Sequence, residues 1–304
     1  MSKKISGKDN KMVVIKLQGG LGNQMFQYAI AAILAKKNKT KVIIDDSIFN
    51  IREKTLGYTP RDFELSIFKK SFNFAKNSDL LLFEKPSVLN KIKRKIQLNY
   101  PKISTEPPFG FLPNLNQVKA PVYLKGYFQS YLYFSGFEDF VMDLFQFPID
   151  NLSKENLDLI PVLKNKNTVA IHIRRGDYIT DAQTNQFHGT CSMDYYLKGI
   201  AAITSKIKNP MLVFFSDDSA WVKNNFEKVP FDKIFISHNK GANSWIDMYL
   251  MSICSHNIIA NSSFSWWAAW LNRNKDKIIV APKKWFEGVN IDSKLILLDG
   301  WITK

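Results

Sequence analysis

Short apolar runs alternate with amphipathic segments along the second half of the chain. Many of the apolar positions are β-branched, and the runs cover residues 168–173, 211–215, 233–236, 257–260 and 277–280. Each run is nearly continuous, which is typical of strands buried on both faces of a parallel sheet. Segments of helical period begin near Met193, Ala220, Ser244 and Ser263. The pattern predicts a Rossmann-like βα domain, a parallel sheet covered by helices.

The first half of the chain opens with the same alternation. Apolar runs at residues 13–17 and 41–44 flank a helical segment over residues 23–37. Residues 52–123 are rich in Phe and Lys and carry several prolines, so no long element is predicted there. The polar stretch 151–167 is the predicted linker between the two domains.

Two α/β domains are therefore predicted, an N-terminal βα domain over residues 1–155 and a C-terminal Rossmann-like domain over residues 156–304. The length of 304 residues agrees with two domains of about 150 residues each.

The net charge of the chain indicates an anionic binding partner but does not identify it. A net charge of +15 attracts the phosphates of nucleotides, nucleic acids or anionic lipids, but solvated lysine-rich surfaces explain it equally well. The basic segment 85–102 has an apolar helical face that could contact an anionic membrane, and an ordinary surface helix is the alternative.

The location of the protein follows from what the sequence lacks. The two cysteines, Cys191 and Cys254, show no disulfide or metal spacing, which indicates a reducing compartment. The N-terminus has no secretory apolar stretch, and polar residues interrupt the longest apolar segment, 246–271. We expect a cytoplasmic protein without a transmembrane helix.

A glycine block, GGLGNQ at residues 19–24, follows the first predicted strand. Glycine allows a ligand to approach the backbone closely, and the helix N-terminus favours anions. A tight turn without a ligand is the alternative. Counted from Gly20, the third glycine of the dinucleotide fingerprint is replaced by Met25, so that motif is not matched.

An arginine block, HIRRGD at residues 172–177, follows the predicted strand 168–173. Strand alternation places His172 and Arg174 on one side and Arg175 on the other. One arginine at the carboxyl end of a strand can hold a diphosphate, and the other can pair with Asp177. A purely structural ion-pair cluster fits two adjacent arginines equally well.

The two blocks resemble motifs of the bacterial and animal α-1,2-fucosyltransferases. Further blocks follow in that family's order: SDD at residues 216–218, Asp247 followed by MYLMS, and NSSFSWW at residues 261–267. The resemblance implies a GT-B fold, with two Rossmann-like βα domains facing each other across a cleft. GDP would bind mainly to the second domain, and the acceptor would be reached from the first.

The resemblance also implies a reaction. L-Fucose would pass with inversion from GDP-β-L-fucose, a substrate, to the 2-hydroxyl of a galactose-terminated oligosaccharide or lipid-linked glycan in surface polysaccharide synthesis. Another fucosyl linkage is the alternative. No metal or other cofactor and no nucleic acid would be needed. The enzyme would be cytoplasmic, with peripheral contact at the inner membrane face as a further expectation.

Residue roles carry over only at matching positions. Arg174 resembles the diphosphate clamp, His172 a donor-site neighbour and Asp247 the acceptor of guanine N–H groups; stabilising a helix's first turn is the alternative for Asp247. The predicted catalytic residues are Arg174, His172 and Asp177. The predicted GDP-fucose contacts are Gly20, Gly22, Asn23, His172, Arg174, Asp247, Ser262, Ser263 and Phe264.

Several motif residues also have structural interpretations. Ser262 and Ser263 are expected to cap a helix while also reaching phosphate. Asp217 or Asp218 is expected to cap the next helix rather than bind a metal. The tryptophans of residues 266–270 are expected in the core, with sugar stacking as the alternative. Asp177, Asp181 and His188 all follow the arginine block, and no general base is assigned among them.

Two other protein classes compete with the glycosyltransferase. A nicotinamide-dependent oxidoreductase would use the glycine block, which Met25 disfavours. A nucleic-acid-binding protein rests on net charge alone, without a helix-turn-helix, zinc or RNP-like signature.

Overall fold

The computed structural model describes residues 11–53, 59–83, 101–108, 110–176, 189–287 and 292–304. Two compact units divide the chain: the described residues up to Gln146 form the first, and those from Phe147 to Lys304 form the second. This division lies ahead of the boundary at residue 155 that the sequence predicts.

The first unit is built on a four-stranded parallel sheet. Its strands are β1 (Met12–Lys16), β2 (Lys41–Asp45), β3 (Lys102–Thr105) and β4 (Val122–Lys125). They lie in the order β2-β1-β4-β3. Its α-helices are α1 (Leu21–Asn38), α2 (Asn77–Leu81) and α3 (Glu138–Leu144), and its 3-10 turns are Ser47–Asn50, Leu65–Phe68, Leu115–Gln117 and Tyr131–Phe134.

The elements at the start of the first unit are the predicted ones. Val13, Val14 and Ile15 of β1 are fully buried, as is the alanine-rich middle of α1. Strands β3 and β4 are not predicted, because β3 is largely exposed and both begin within the proline-rich stretch 52–123, where no long element is expected.

The second unit is built on a six-stranded parallel sheet. Its strands are β5 (Asn167–Ile173), β6 (Pro210–Ser216), β7 (Asp232–Ile236), β8 (His256–Ile258), β9 (Ile279–Ala281) and β10 (Ile302–Thr303). They lie in the order β10-β9-β8-β5-β6-β7. Its α-helices are α4 (Lys154–Asn165), α5 (Met193–Thr204), α6 (Ser219–Phe226), α7 (Trp245–Ile253) and α8 (Ser263–Leu271), and its 3-10 turns are Ile149–Asn151, Gly241–Asn243 and Ser293–Leu295.

The five predicted strands and four predicted helices of this half are confirmed. The second unit is a Rossmann-like βα domain, and two parallel-sheet units confirm the predicted α/β class. Side chains of β5, β6 and α5 form its core, with Val169, Ile171, Leu212, Phe214 and Ile203 buried.

The predicted linker over residues 151–167 is wrong. Most of this stretch is helix α4, whose start is capped by the Ser153 hydroxyl, which accepts from the Asn156 amide. Leu163 is fully buried, whereas Leu157 is 49% exposed. The polar residues and Pro161 therefore belong to a surface helix, and their polarity reflects its exposed face.

The second sheet has a point from which the chain continues in opposite directions across the strands. In the second sheet the chain moves from β5 to β6 and β7 on one side, then to β8, β9 and β10 on the other. Loops leave such neighbouring strands in opposite directions, which opens a crevice at the carboxyl ends, where open α/β sheets bind ligands.

The tryptophans of α8 lie in the core, as predicted. Trp266 and Trp267 are fully buried, and Trp266 Nε1 donates to the Ile296 carbonyl over 2.7 Å. They therefore present no surface for sugar stacking. Among the described residues, none of the helices combines the length and the apolar character that a membrane crossing would need.

Candidate functional site

The arginine block lies at the carboxyl end of β5, next to the crevice of the second sheet. Strand β5 ends at Ile173, so Arg174 and Arg175 lie beyond the strand, and strand alternation does not divide them as predicted. Asp217, at the end of the neighbouring β6, binds both residues. Its Oδ2 lies 2.8 Å from Arg174 Nη1, and its Oδ1 accepts from the Arg175 backbone N–H over 2.9 Å.

Arg175 is held by the chain itself, as predicted, and the described partner is Asp218. Its Nε lies 3.2 Å from Asp218 Oδ2, and its guanidinium lies 3.9 Å from the centre of the Trp221 ring. Asp218 Oδ1 also accepts from the Trp221 amide and caps α6, which confirms the predicted capping role of the acidic block. Asp177, the predicted partner, lies outside the described residues, as do Asp181 and His188.

Gly176 brings the arginine loop close to β6. A Cβ at Gly176 would lie 2.8 Å from Asp217 Oδ2, closer than real Cβ contacts allow. The glycine therefore lets the backbone approach the carboxylate that orients Arg174. Arg174 and Arg175 form one hydrogen-bonded structure with the acidic block SDD at the ends of two adjacent strands.

His172 is buried just before this loop. Burial, reinforced by the Arg174 charge and opposed by Asp217, lowers the pKa of His172 to about 4, so the ring is neutral near pH 7. Its Nδ1 is buried and has no hydrogen-bond partner in the part of the chain that the structure describes. The ring lies 5.7 Å from that of Phe264. A buried nitrogen without a partner next to a loop at a sheet edge is a candidate for ligand contact.

Helix α8 begins beside His172 with open backbone amides. Ser262 occupies the N-cap position, but its hydroxyl makes no capping bond, so the predicted cap is wrong. Within the described chain, the amides of Ser263, Phe264 and Ser265 have no hydrogen-bond acceptor. Three open amides at a helix N-terminus favour an anion such as a phosphate.

Asp247 lies in the first turn of α7, the helix that connects β7 to β8. Its Oδ1 accepts from Asn239 Nδ2 over 2.8 Å, and its Oδ2 has no partner among the described residues. Burial raises the pKa of Asp247 to about 7, although the Asn239 bond opposes that rise. This carboxylate keeps an acceptor oxygen available for a ligand that donates N–H groups.

Sequence reasoning missed the residues that hold Asp247. Asn239 is buried and exchanges two hydrogen bonds with Asn156 of α4, at 2.9 and 3.1 Å. His238 Nε2 lies 2.9 Å from the same Asn156 oxygen. The signal was weak, because asparagines are common throughout the chain, and residues 83 positions apart form the pair.

The helix start at the glycine block already has hydrogen-bond partners within the first unit. The Leu21 amide at the start of α1 donates to Glu64 Oε2 over 3.0 Å. The buried Gln24 donates to the Asp62 carbonyl and accepts from the Glu64 amide, at 2.8 and 2.9 Å. A carboxylate at the helix start repels phosphate, so this geometry disfavours Gly20 and Gly22 as diphosphate contacts. Both remain predictions, as does Asn23.

The second unit thus brings together His172, Arg174, Ser262, Ser263 and Phe264 at one crevice, with Asp247 at the start of α7. The charge and the open amides suit a diphosphate, and the carboxylate suits a guanine base. The described residues contain no cluster of three His, Cys, Asp or Glu side chains that could hold a metal ion.

The glycosyl transferase family 11 model matches residues 2–304. The chain belongs to glycosyl transferase family 11. It is 40% identical over 306 residues to the Escherichia coli O-antigen biosynthesis glycosyltransferase WbnK, covering 94% of this chain and 98% of the relative. It is 32% identical to an E. coli alpha-1,2-colitosyltransferase, covering 93% and 95%. It is 26% identical to the Caenorhabditis elegans galactoside 2-alpha-L-fucosyltransferase, covering 88% and 71%.

As a family 11 member, the protein is an enzyme that transfers a sugar to an acceptor, as the resemblance implies. This membership sets aside the oxidoreductase and the nucleic-acid-binding protein as function classes. The arginine block, the acidic block and the NSSFSWW block, which carry the resemblance to the α-1,2-fucosyltransferases, all border the crevice of the second unit.

Proposed function

We propose that this family 11 enzyme transfers L-fucose with inversion from GDP-β-L-fucose to the 2-hydroxyl of a terminal galactoside, forming an α-1,2 linkage in surface polysaccharide. The carrying observation is the crevice between β5 and β8. There the buried, neutral His172 lies close enough to Arg174 for its pKa to be lowered by that charge, and its ring lies 5.7 Å from that of Phe264 in the first turn of α8. Relatives named for O-antigen synthesis and for α-1,2 transfer to galactosides support the substrate class.

The chemical problem is the departing GDP. Sugar transfer passes through an oxocarbenium-like state in which negative charge develops on the leaving diphosphate. Fixed positive charge aimed at that oxygen lowers the barrier because it needs no reorganisation during the reaction. Asp217 fixes the direction of the Arg174 guanidinium before GDP binds, and the Ser263 and Phe264 amides supply further donors.

The same groups give a reason to expect chemistry without a metal ion. Arg174 and the α8 N-terminus together carry positive charge of the kind that a divalent cation supplies to a diphosphate elsewhere. We propose that they neutralise the leaving group by themselves. Activity that persists undiminished in excess EDTA, after dialysis against the chelator, supports this; loss of activity that Mg²⁺ or Mn²⁺ restores contradicts it.

We assign the selection of guanine over adenine to the Asp247 carboxylate. The open Oδ2 and the second lone pair of Oδ1 can accept the two adjacent N–H groups on the Watson–Crick edge of guanine. Adenine presents no such pair. The buried bond from Asn239 holds the carboxylate in one orientation, so the base meets a preset acceptor.

A second donor is a candidate because of one relative. The alpha-1,2-colitosyltransferase is 32% identical to this chain over nearly its whole length. Colitose differs from L-fucose by the absence of the 3-hydroxyl, so the same diphosphate and guanine contacts serve both donors. Only contacts to the sugar ring would separate the two.

A donor and acceptor screen tests the proposal. The enzyme is incubated with GDP-fucose or GDP-colitose and an array of galactose-terminated glycans, and product linkages are determined by NMR. We expect transfer from GDP-fucose with an α-1,2 bond to galactose. Preferred use of GDP-colitose would replace the donor, and products with another linkage would overturn the linkage.

We also propose that the enzyme works in the cytoplasm on a lipid-linked glycan, with peripheral contact to anionic lipid. The net charge of +15 supports attraction to such a surface. The basic segment 85–102 that motivates the contact lies largely outside the described residues. We expect the enzyme to sediment with phosphatidylglycerol vesicles but not with phosphatidylcholine vesicles, and we expect salt to reverse the binding. Equal binding to both kinds of vesicle, or binding to neither, contradicts the proposal.

A further inference from the structure

A chain of hydrogen-bonded side chains runs from Asp247 to the surface of the second unit. Asn239 donates to Asp247 Oδ1 over 2.8 Å and is paired with Asn156 of α4 through two bonds of 2.9 and 3.1 Å. His238 Nε2 lies 2.9 Å from Asn156 Oδ1, and its Nδ1 lies 3.1 Å from Glu155 Oε1. The chain therefore joins α4 and the segment after β7 to the helix that carries Asp247.

The Asp247 carboxylate fixes the direction of the bonds in this chain. An ionised carboxylate only accepts hydrogen bonds, so the Asn239 amide must turn its Nδ2 towards it. Asn239 Oδ1 then accepts from Asn156 Nδ2, and the second Asn239 N–H donates to Asn156 Oδ1. The remaining lone pair of that oxygen faces His238 Nε2, which must therefore donate.

Asn156 has no freedom to take another orientation. It is 1% exposed, and its second Nδ2 hydrogen donates to the Ser153 hydroxyl over 2.9 Å. Both hydrogens and both lone pairs of its amide are therefore used. A buried, fully satisfied amide resists rotation, because a flip would bring donor against donor and acceptor against acceptor. Asn156 thus fixes the orientation of Asn239, and Asn239 fixes that of Asp247.

His238 forms the outer end of the chain. It lines an open cavity of about 240 Å³ together with Glu155, Asp158 and Ile236. The Glu155 side chain is 65% exposed, so water competes for its pairing with His238. His238 should therefore contribute less to the orientation of Asp247 than the two buried asparagines do.

The orientation of Asp247 matters because guanine presents two N–H groups in one plane, the ring N–H and the exocyclic amine. A carboxylate can accept from both only if its oxygens lie in that plane. Rotation about the Cβ–Cγ bond of Asp247 would leave one N–H group unbonded. Hypoxanthine has the ring N–H and lacks the amine. The preference for GDP over inosine diphosphate (IDP) therefore measures the alignment of the carboxylate.

We propose that Asn156 and His238 are positioning residues for base selection: through Asn239 they hold the Asp247 carboxylate in the plane in which it accepts both N–H groups of guanine. The inference rests on the proposed function, because it requires guanine at Asp247. It adds α4 and the segment after β7, which lie outside the motif blocks, to the determinants of donor specificity.

Titration calorimetry with GDP and IDP tests the assignment on the full chain at about pH 8.5, where Asp247 is ionised. The wild type should bind GDP at least about tenfold more tightly than IDP, the effect of one hydrogen bond to a charged group. In Asn156→Ala this preference should fall to about threefold or less, because GDP binding weakens more than IDP binding. His238→Ala should reduce the preference about twofold to threefold, and His238→Gln, whose amide N–H can replace Nε2–H, should restore it.

Asn272→Ala is the matched control. Asn272 is also buried and bonded to a second asparagine, Asn257, over 2.8 Å. It donates to the Cys254 carbonyl at the C-terminus of α7, the opposite end of the helix from Asp247. This variant should lose stability, as Asn156→Ala does, yet keep the wild-type preference for GDP over IDP. Melting temperatures followed by tryptophan fluorescence compare the two losses of stability.

The outcomes separate this inference from the proposed function. If the wild type prefers GDP and Asn156→Ala weakens GDP and IDP binding by the same factor, Asn156 is only structural and the inference is wrong. If Asn156→Ala does not fold, the partly exposed His238 decides, and an unchanged preference in His238→Ala overturns the inference. If the wild type itself binds GDP and IDP equally, the assignment of guanine to Asp247 fails and this inference fails with it.

Discussion

At the scale of single residues, Asp247 is the carboxylate whose ionisation should control nucleotide binding. Its pKa is raised to about 7 by burial, so the ligand-free chain holds it partly protonated at neutral pH. Guanine N–H groups require the ionised form. Below pH 7 a proton must therefore leave on binding, and the Kd for GDP should rise by up to about tenfold per pH unit.

Titration calorimetry with GDP between pH 5.5 and 8.5 measures this dependence. The terminal phosphate of GDP ionises with a pKa near 6, so Asp247→Asn provides the reference that keeps the phosphate contribution. We expect weak GDP binding and a shallower pH dependence in Asp247→Asn. Identical slopes in both proteins would contradict the assignment of guanine to Asp247.

The raised pKa of Asp247 has a second consequence, for stability. Because the folded-state pKa lies above the unfolded value, this group contributes stability that is present at low pH. That contribution is lost as the pH rises through about 7. His172 acts in the opposite direction, since its folded pKa of about 4 lies below the ordinary value. Its contribution is present above about pH 6.5 and is lost as the pH falls towards 4.

Replacement of the two adjacent arginines should affect turnover differently. Arg174→Ala removes charge from the leaving group and should lower kcat by about 100- to 1000-fold. Its free energy of unfolding should fall by no more than about 1 kcal/mol, since the lost pair with Asp217 is partly exposed. Arg175→Ala loses the Asp218 pair and the Trp221 ring contact. It should lower the free energy of unfolding by about 1 kcal/mol, since the pair is partly exposed.

Steady-state kinetics and urea unfolding of both variants distinguish these outcomes. Arg174→Lys and Arg175→Lys extend the comparison, because lysine keeps the charge and loses the planar fork. Near-normal turnover in Arg174→Ala would remove Arg174 from the catalytic residues.

At the scale of secondary-structure elements, the backbone amides at the N-termini of three helices are treated in three different ways: two are bonded by side chains and one is left open. Ser192 caps α5 through its hydroxyl, which accepts from the Tyr195 amide over 3.1 Å. Glu64, distant in sequence, fills the start of α1. Helix α8 has a serine in the N-cap position whose hydroxyl caps nothing. Of these three helices, α8 is the one whose first-turn amides receive no side-chain cap, and it borders the candidate donor site.

Two matched serine substitutions test this difference. Ser192→Ala should cost about 1 kcal/mol of stability, the usual value of a lost N-cap bond. Ser262→Ala should change the free energy of unfolding by less than about 0.5 kcal/mol, because no capping bond is lost. Both are measured by urea unfolding. A cost for Ser262→Ala equal to that for Ser192→Ala would show that its hydroxyl caps α8 in solution.

At the scale of the whole molecule, the chain carries a natural reporter for one unit. All seven tryptophans lie between residues 221 and 301, within the second unit. Tryptophan fluorescence therefore follows the unfolding of the unit to which we assign GDP. A ligand that binds only the folded state raises its unfolding midpoint.

GDP at about 100 times its Kd should stabilise this unit by about 2.7 kcal/mol and raise the tryptophan-monitored midpoint by about 5–10 °C. ADP and NAD at the same concentration should give little shift, since neither offers the guanine N–H pair. Equal shifts with all three nucleotides would mean that the site reads phosphate alone, and Asp247→Asn would then show no reduced effect.

Elements that depend on a local pattern can be predicted from the amino-acid sequence alone. Nearly continuous apolar runs such as residues 168–173 and 211–215 predicted strands at nearly the observed bounds, because strands buried on both faces consist mainly of apolar residues. A cap on α6 at Asp217 or Asp218 was also predictable, because a cap joins residues only three apart, and the structure places it at Asp218. Resemblance at the motif blocks predicted the family.

Contacts between residues that are distant in sequence follow from the tertiary fold. Asp217 binds two arginines across the sheet, and Asn156 reaches Asn239 across 83 positions, because parallel strands bring distant segments to one edge. The prediction of a linker over residues 151–167 failed for a related reason. The exposed face of α4 is polar and only its packed face is apolar, so the helical pattern is weak in the sequence. Glu64 fills the glycine turn that its local sequence left open to a phosphate, and a contact over 43 positions has no local signal.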